Sequence, residues 1–196
     1  MEKMSGMNNA VTRKELHFRK IEMRGWERSD GLYEIEGHVT DQKPYTFTAV
    51  SGGRVVPAGD HIHDMGVRLV IDLEMQVLEV STFTTSAPYH DCMSAGTALQ
   101  SLKGQRIASG WSSEVRRLLG GAQCCTHLME ILIPMGTAAF QSLTMVRQAQ
   151  PDKLRANGTP AKIDSCYAYA ADRAIVMKRW PDFYTGSKQV EVERKE

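Results

Sequence analysis

Two stretches of alternating apolar residues, followed by apolar spacing of helical period, constrain this chain more than any other feature. In Gly31-Leu-Tyr-Glu-Ile-Glu-Gly-His-Val, Tyr33, Ile35 and Val39 fall on one face and Glu34, Glu36 and His38 on the other. That is the pattern of a half-buried strand. Asp41-Gln-Lys-Pro reads as a turn, and Tyr45-Thr-Phe-Thr-Ala-Val as a second strand. Gly52, Gly53, Pro57 and Gly59 mark a loop that ends at His61-Ile-His-Asp-Met. Val67, Leu69, Ile71 and Leu73 then share one face, and past Glu74 the phase changes to Leu78 and Val80. A phase change across a short polar segment predicts a hairpin near residues 73–76.

The period changes after Pro88. Met93, Leu99 and Leu102 can line one helical side before a stop at Lys103-Gly104. Ser113 to Gly121 reads as a short helix closed by glycine. Thr126 to about Gln148 reads as a long helix with Leu128, Ile131, Leu132, Met135, Ala139 and Leu143 at helical spacing. Pro134 should kink it or divide it. Residues 162–178 fit a strand pair or a helix equally well. Strands first and helices second predict an α+β domain, an antiparallel sheet with helices packed on one face. Residues 14–186 are expected to form that single domain, with a mobile terminus over 1–13 and a solvated tail over 187–196.

Composition narrows the function classes. Lys+Arg is 24 against Asp+Glu 23, a formal charge of +1, so the cationic excess of a nucleic-acid binder is missing. No apolar run approaches the roughly 18–20 residues of a membrane span, and the start lacks the apolar stretch of a signal peptide. A cytoplasmic location is the expectation. Cysteines 92, 124, 125 and 166 then read as buried thiols, metal ligands or reactive thiolates rather than disulfides. Histidines sit beside carboxylates or thiols: His61 and His63 in GDHIHDM, His90 in PYHDC, His127 in CCTHLME.

The stretches ERSDGLYEIEGHVTDQKPY, GDHIHDMGVRLVID, SAPYHDC, CCTHLME and AFQSL resemble a bacterial family known as domain of unknown function 2889. The resemblance covers roughly residues 17–150. The family's pattern has Gly-Cys-Thr-His-Leu where this chain has Cys124-Cys-Thr-His-Leu, so Cys124 is given no role. At the level of fold, the order of elements is similar to that of U-type iron–sulfur cluster scaffold proteins. On that likeness His61 falls at the scaffold's first cysteine, His63 at its aspartate, Cys92 a few residues past the second cysteine, and Cys125 on the third. The likeness would bring His63, Cys92 and Cys125 together.

Two thiolates and an imidazole suit zinc, and three protein ligands leave one position for water or substrate. Cys166 as a fourth ligand would make the site closed and structural. Asp64 beside His63 is placed to orient an imidazole, and His127 with Glu130 forms an i, i+3 pair. Standing two residues from Cys125, His127 is expected to point away from whatever Cys125 faces. Asp64, His127 and Lys43 are the candidate catalytic residues, and Arg28, Tyr45 and Tyr89 the candidate substrate contacts. The reading is a zinc-dependent enzyme acting on a small carboxylated or aromatic molecule. Lyase chemistry in aromatic-compound breakdown is what the family resemblance implies. A small-molecule substrate is the expected partner, and association with a second copy of the chain is left open. Two alternatives stand beside this: a non-catalytic carrier of a metal or iron–sulfur cluster, and a metal-free thiol enzyme using Cys125 as nucleophile and His127 as base.

Overall fold

The computed structural model describes residues 11–50 and 52–187. The expected N-terminal tail (1–13) and C-terminal tail (187–196) lie almost wholly outside the described residues. The chain divides into two compact units, Met1–Thr144 and Met145–Glu196. The fold is α+β, an antiparallel sheet followed by helices, as the alternation and then the helical spacing predict.

The first unit is built on four antiparallel strands in the order β1-β2-β5-β6. These are β1 (Phe18–Glu27), β2 (Tyr33–Gln42), β5 (His61–Ile71) and β6 (Val77–Ser86). The short strands β3 (Phe47–Thr48) and β4 (Val55–Val56) pair with each other between β2 and β5. β2 alternates as its sequence demands, with Ile35, Gly37, Val39 and Asp41 buried and the residues between them half-exposed. In β5, Met65, Val67, Leu69 and Ile71 are inaccessible on the same face. The turn between β5 and β6 runs through Asp72–Gln76, where the Asp72 carboxylate accepts the Gln76 amide at 2.9 Å and Met75 takes φ 69°.

Two readings of these strands change. The run Tyr45–Val50 pairs only at Phe47–Thr48. In β6 the inner residues are Val77 and Val80, while Leu78 is 37% exposed. Ile71 pairs with Val77 and Val70 with Glu79, so Leu78 is an extra residue in the ladder, and the bulge shifts the phase there.

A short 3-10 segment (Ala95–Leu102) packs on β6 and α2 (Thr126–Ser142) on β1, β2 and β5, while α1 (Trp111–Leu119) packs against α2 and the 3-10 segment. Trp111, Val115 and Leu119 recur at i, i+4 and i+8, and Leu128, Ile131, Leu132, Met135 and Ala139 make the buried stripe of α2. Leu99 and Leu102 are buried as expected, but Met93 is 51% exposed. The long helix runs through Pro134 and ends at Ser142; the division falls there, with α3 at Thr144–Gln148. Gly37 and Gly136 permit the close packing. A Cβ on Gly37 would sit 2.7 Å from the Met135 sulfur, and one on Gly136 2.7 Å from the Trp111 ring. The second unit holds α4 (Ala174–Arg179) between 3-10 turns. The span 162–178 is therefore largely irregular, neither a strand pair nor a long helix.

Candidate functional site

Asp41 is the one buried charged residue among the described residues, at 2% exposure. It ends the inner face of β2, so the alternation that buries Ile35 and Val39 also buries this carboxylate. Its oxygens are heavily used. Arg19, opposite it on β1, donates from Nε at 2.8 Å and from Nη2 at 2.9 Å. His17 Nε2 lies 2.6 Å from Oδ1, and His63 Nδ1 lies 3.0 Å from Oδ2. Burial pushes the Asp41 carboxyl up. The hydrogen bond and charge of Arg19, with His17 and His63, outweigh burial and bring it down to about 2.

His127, in the first turn of α2, completes the group. Its ring lies 3.8 Å from that of His63, centroid to centroid, and its Nε2 is 3.8 Å from Asp41 Oδ2. One ligand atom each from Asp41, His63 and His127 lies within 4.8 Å of the others. Burial, then the neighbouring His127, pulls the His63 pKa down to about 4 against the opposing pull of Asp41. Burial, then the charge of Arg19, lowers that of His127. Both shifts favour the neutral imidazole, the form that binds metals or accepts protons.

One thiol touches this group. Cys125 is the N-cap residue of α2, with Sγ 3.8 Å from His127 Nδ1 and 3.8 Å from Met65 Sδ. The expectation that His127 points away from Cys125 is therefore corrected, since the imidazole spans from the thiol to Asp41. Glu130 lies 3.8 Å from Arg19 Nη1, so it faces the guanidinium. Cys92 follows Tyr89, whose carbonyl accepts the Cys92 amide at 3.2 Å. Burial, then the charge of nearby Cys125, raises the Cys92 thiol pKa. Cys124 donates to the Ala95 carbonyl at 3.5 Å, and burial pushes its thiol up to about 11. Cys166 is exposed and belongs to the second unit.

A bulge separates the histidines of the HIHD segment. Asp41 pairs with His63 and Gln42 with His61, which leaves Ile62 as the extra residue. His63 consequently faces the helices with Asp41, while His61 joins Asp64 on the open face. There Asp64 accepts from His38 Nε2 at 2.7 Å and His61 Nδ1 at 3.0 Å, beside a polar cleft of about 340 Å³ with Arg54, Thr85 and Ser86. Asp64 does not share a face with His63. Arg28 is bound to Asp30 and Glu34 at the far end of the β1–β2 hairpin, roughly 30 Å of strand from Asp41. Lys43 follows β2, its Nζ 3.3 Å from the Tyr45 hydroxyl and 5.6 Å from the Phe47 ring centre. Tyr45 and Tyr89 are 41% and 40% exposed, and Tyr89 packs beside Gly53.

The sequence reading singled out His63, Cys125 and His127, whereas it placed Asp41 in a turn and did not name Arg19 or His17. The signal was the parity of Asp41 with Ile35 and Val39. A charged residue in phase with a buried face must be paired. No curated protein and no solved structure matches the chain. The family model described as protein of unknown function (DUF2889) matches residues 17–141, more than half of the chain and every residue of the group around Asp41. The chain belongs to that family.

Proposed function

We propose that the protein is a metal-dependent enzyme whose ion is held by Asp41 Oδ2, His63 Nδ1 and His127 Nε2. The observation that carries this reading is the spacing of these donors. Arms of 2.0–2.2 Å in a tetrahedral zinc site put ligand atoms about 3.4 Å apart. The two separations from Asp41 Oδ2, 3.0 Å and 3.8 Å, bracket that value. The ion would take the place of the hydrogen between His63 and Asp41, with the imidazole proton moving to Nε2. Arg19 and His17 keep their hydrogen bonds and hold the carboxylate in place. Cys125 supports His127 from its other nitrogen.

Three protein donors leave a coordination position for water or substrate, the catalytic pattern. Zinc fits imidazole and carboxylate donors and has no redox change, so lyase or hydrolase chemistry suits the site. Lyase chemistry on a carboxylated or aromatic molecule is the form we favour, with Lys43 supplying a cation and Tyr45 an exposed ring. Elemental analysis of the purified chain tests the ligand set. His63→Ala and His127→Ala should lose metal, and Cys92→Ser and Cys125→Ser should keep it. Loss in the two Ser variants with retention in His127→Ala would restore the set His63, Cys92 and Cys125.

A second reading rests on one contact. Cys125 Sγ lies 3.8 Å from His127 Nδ1 at the start of a long helix. That is the geometry of a thiol nucleophile with its base, and Asp41 stands on the far side of the ring. Metal-free protein that is active and loses activity when Cys125 alone is alkylated would establish it over the metal reading.

A further inference from the structure

β1 has β2 on one side and no strand on the other among the described residues. An edge of ten residues exposes a row of backbone donors and acceptors and is a template for another strand. Its side chains are open as well: Phe18, Ile21 and Trp26 are 49%, 48% and 42% exposed. Edge strands are commonly kept single by charged side chains, proline or bulges, and charges do this where they face like charges across the gap. Here Lys20, Glu22 and Arg24 lie on one face in alternating sign. Glu22 takes Lys20 at 3.1 Å on one side and Arg24 at 3.8 Å on the other.

That alternation is self-complementary. We infer that β1 pairs antiparallel with β1 of a second copy of this chain, about a two-fold axis at Met23, so that the two sheets join into one. In this register Glu22 stands opposite the partner's Arg24, and Arg24 opposite the partner's Glu22. Lys20 stands opposite the partner's Trp26, a cation facing an indole. Ile21 stands opposite the partner's Gly25, over which that copy's own Ser142 packs. Nine residues of each strand, 19–27, remain paired. A shift to an axis at Glu22 would set Glu22 against Glu22 and Lys20 against Arg24. A shift to Ile21 would pair only residues 18–24 and would leave Trp26 without a strand opposite. Charge excludes the Glu22 axis; the Ile21 axis keeps Lys20 opposite Glu22, and the longer pairing over residues 19–27 selects Met23 over it.

Charge exchange tests it in the full-length protein by sedimentation equilibrium. The wild-type chain should be dimeric. Arg24→Glu sets two Glu–Glu pairs across the axis, and Glu22→Arg sets two Arg–Arg pairs. Each variant should dissociate about tenfold or more readily. Mixed one to one, the two variants should form a heterodimer, because every pair across the axis is again opposite in sign. That recovery also shows that both variants are folded. A monomeric wild type, an undiminished Arg24→Glu homodimer, or variants that stay apart on mixing would each overturn the proposal.

Discussion

Replacing Asp41 by Asn removes the charge on which the candidate site is assembled. At 2% exposure the carboxylate depends on Arg19, His17 and His63 for the solvation that water would give. Its pKa falls from 3.8 to about 2, and at about 1.4 kcal/mol per pH unit that depression corresponds to about 2–3 kcal/mol. Breaking a fully buried ion pair costs about 3–5 kcal/mol, but the Arg19 side chain is 35% exposed and can turn to water. A loss near 2 kcal/mol at pH 7 is the expectation for Asp41→Asn. The sign with pH follows from linkage. The folded pKa lies below the unfolded one, so the stabilisation is full above pH about 4 and is lost as pH falls toward 2. Urea unfolding followed by far-ultraviolet circular dichroism, with chelator present, should show a gap between wild type and variant at pH 7. By pH 3 that gap should shrink by about 1 kcal/mol. An equal gap at both pH values, or none at pH 7, would refute the assignment of Asp41 as an ionised, paired group.

The remaining predictions concern single contacts. His63 has its pKa lowered to about 4, so its neutral form stabilises the fold above pH about 6.5 and that contribution fades as pH falls to 4; His63→Gln should flatten the stability slope over that window, and an unchanged slope would count against the burial of the ring. Gly66→Ala would set a Cβ 2.6 Å from the Gly37 carbonyl oxygen and against the Phe83 ring, and should cost about 1–3 kcal/mol in chemical denaturation. Trp111→Phe forfeits the 2.8 Å hydrogen bond from the indole to the Leu132 carbonyl and should cost about 1–2 kcal/mol, read from the same unfolding curves.

The parts of the fold that follow from periodicity were legible in the sequence. β2, β5 and the two main helices each bury one face, so Tyr33, Ile35, Leu69, Val115 and Leu128 announce themselves. β1 was not legible. As an edge strand with most residues exposed it has no apolar alternation to read, and only its pairing with β2 makes it a strand. Bulges also hide from pattern reading. Leu78 is as apolar as Val77, and one inserted residue decides which of them is buried. At the site, the chemistry-bearing types His63, His127 and Cys125 drew notice, whereas Asp41 looked like the first residue of a turn. Arg28 drew notice for its charge alone, and its partners Asp30 and Glu34 account for that charge at a distance from the site.

The extra residue at Ile62 gives a single backbone two audiences. On one side it presents an imidazole to the helices, and on the other it hangs His61 and Asp64 over an open hollow. A strand is one peptide thick, so the inner group and the outer hollow are separated by a single layer of backbone. His63 and Asp64, adjacent in the chain, therefore serve opposite surfaces, the one turned to Asp41 and the other to His38 and His61.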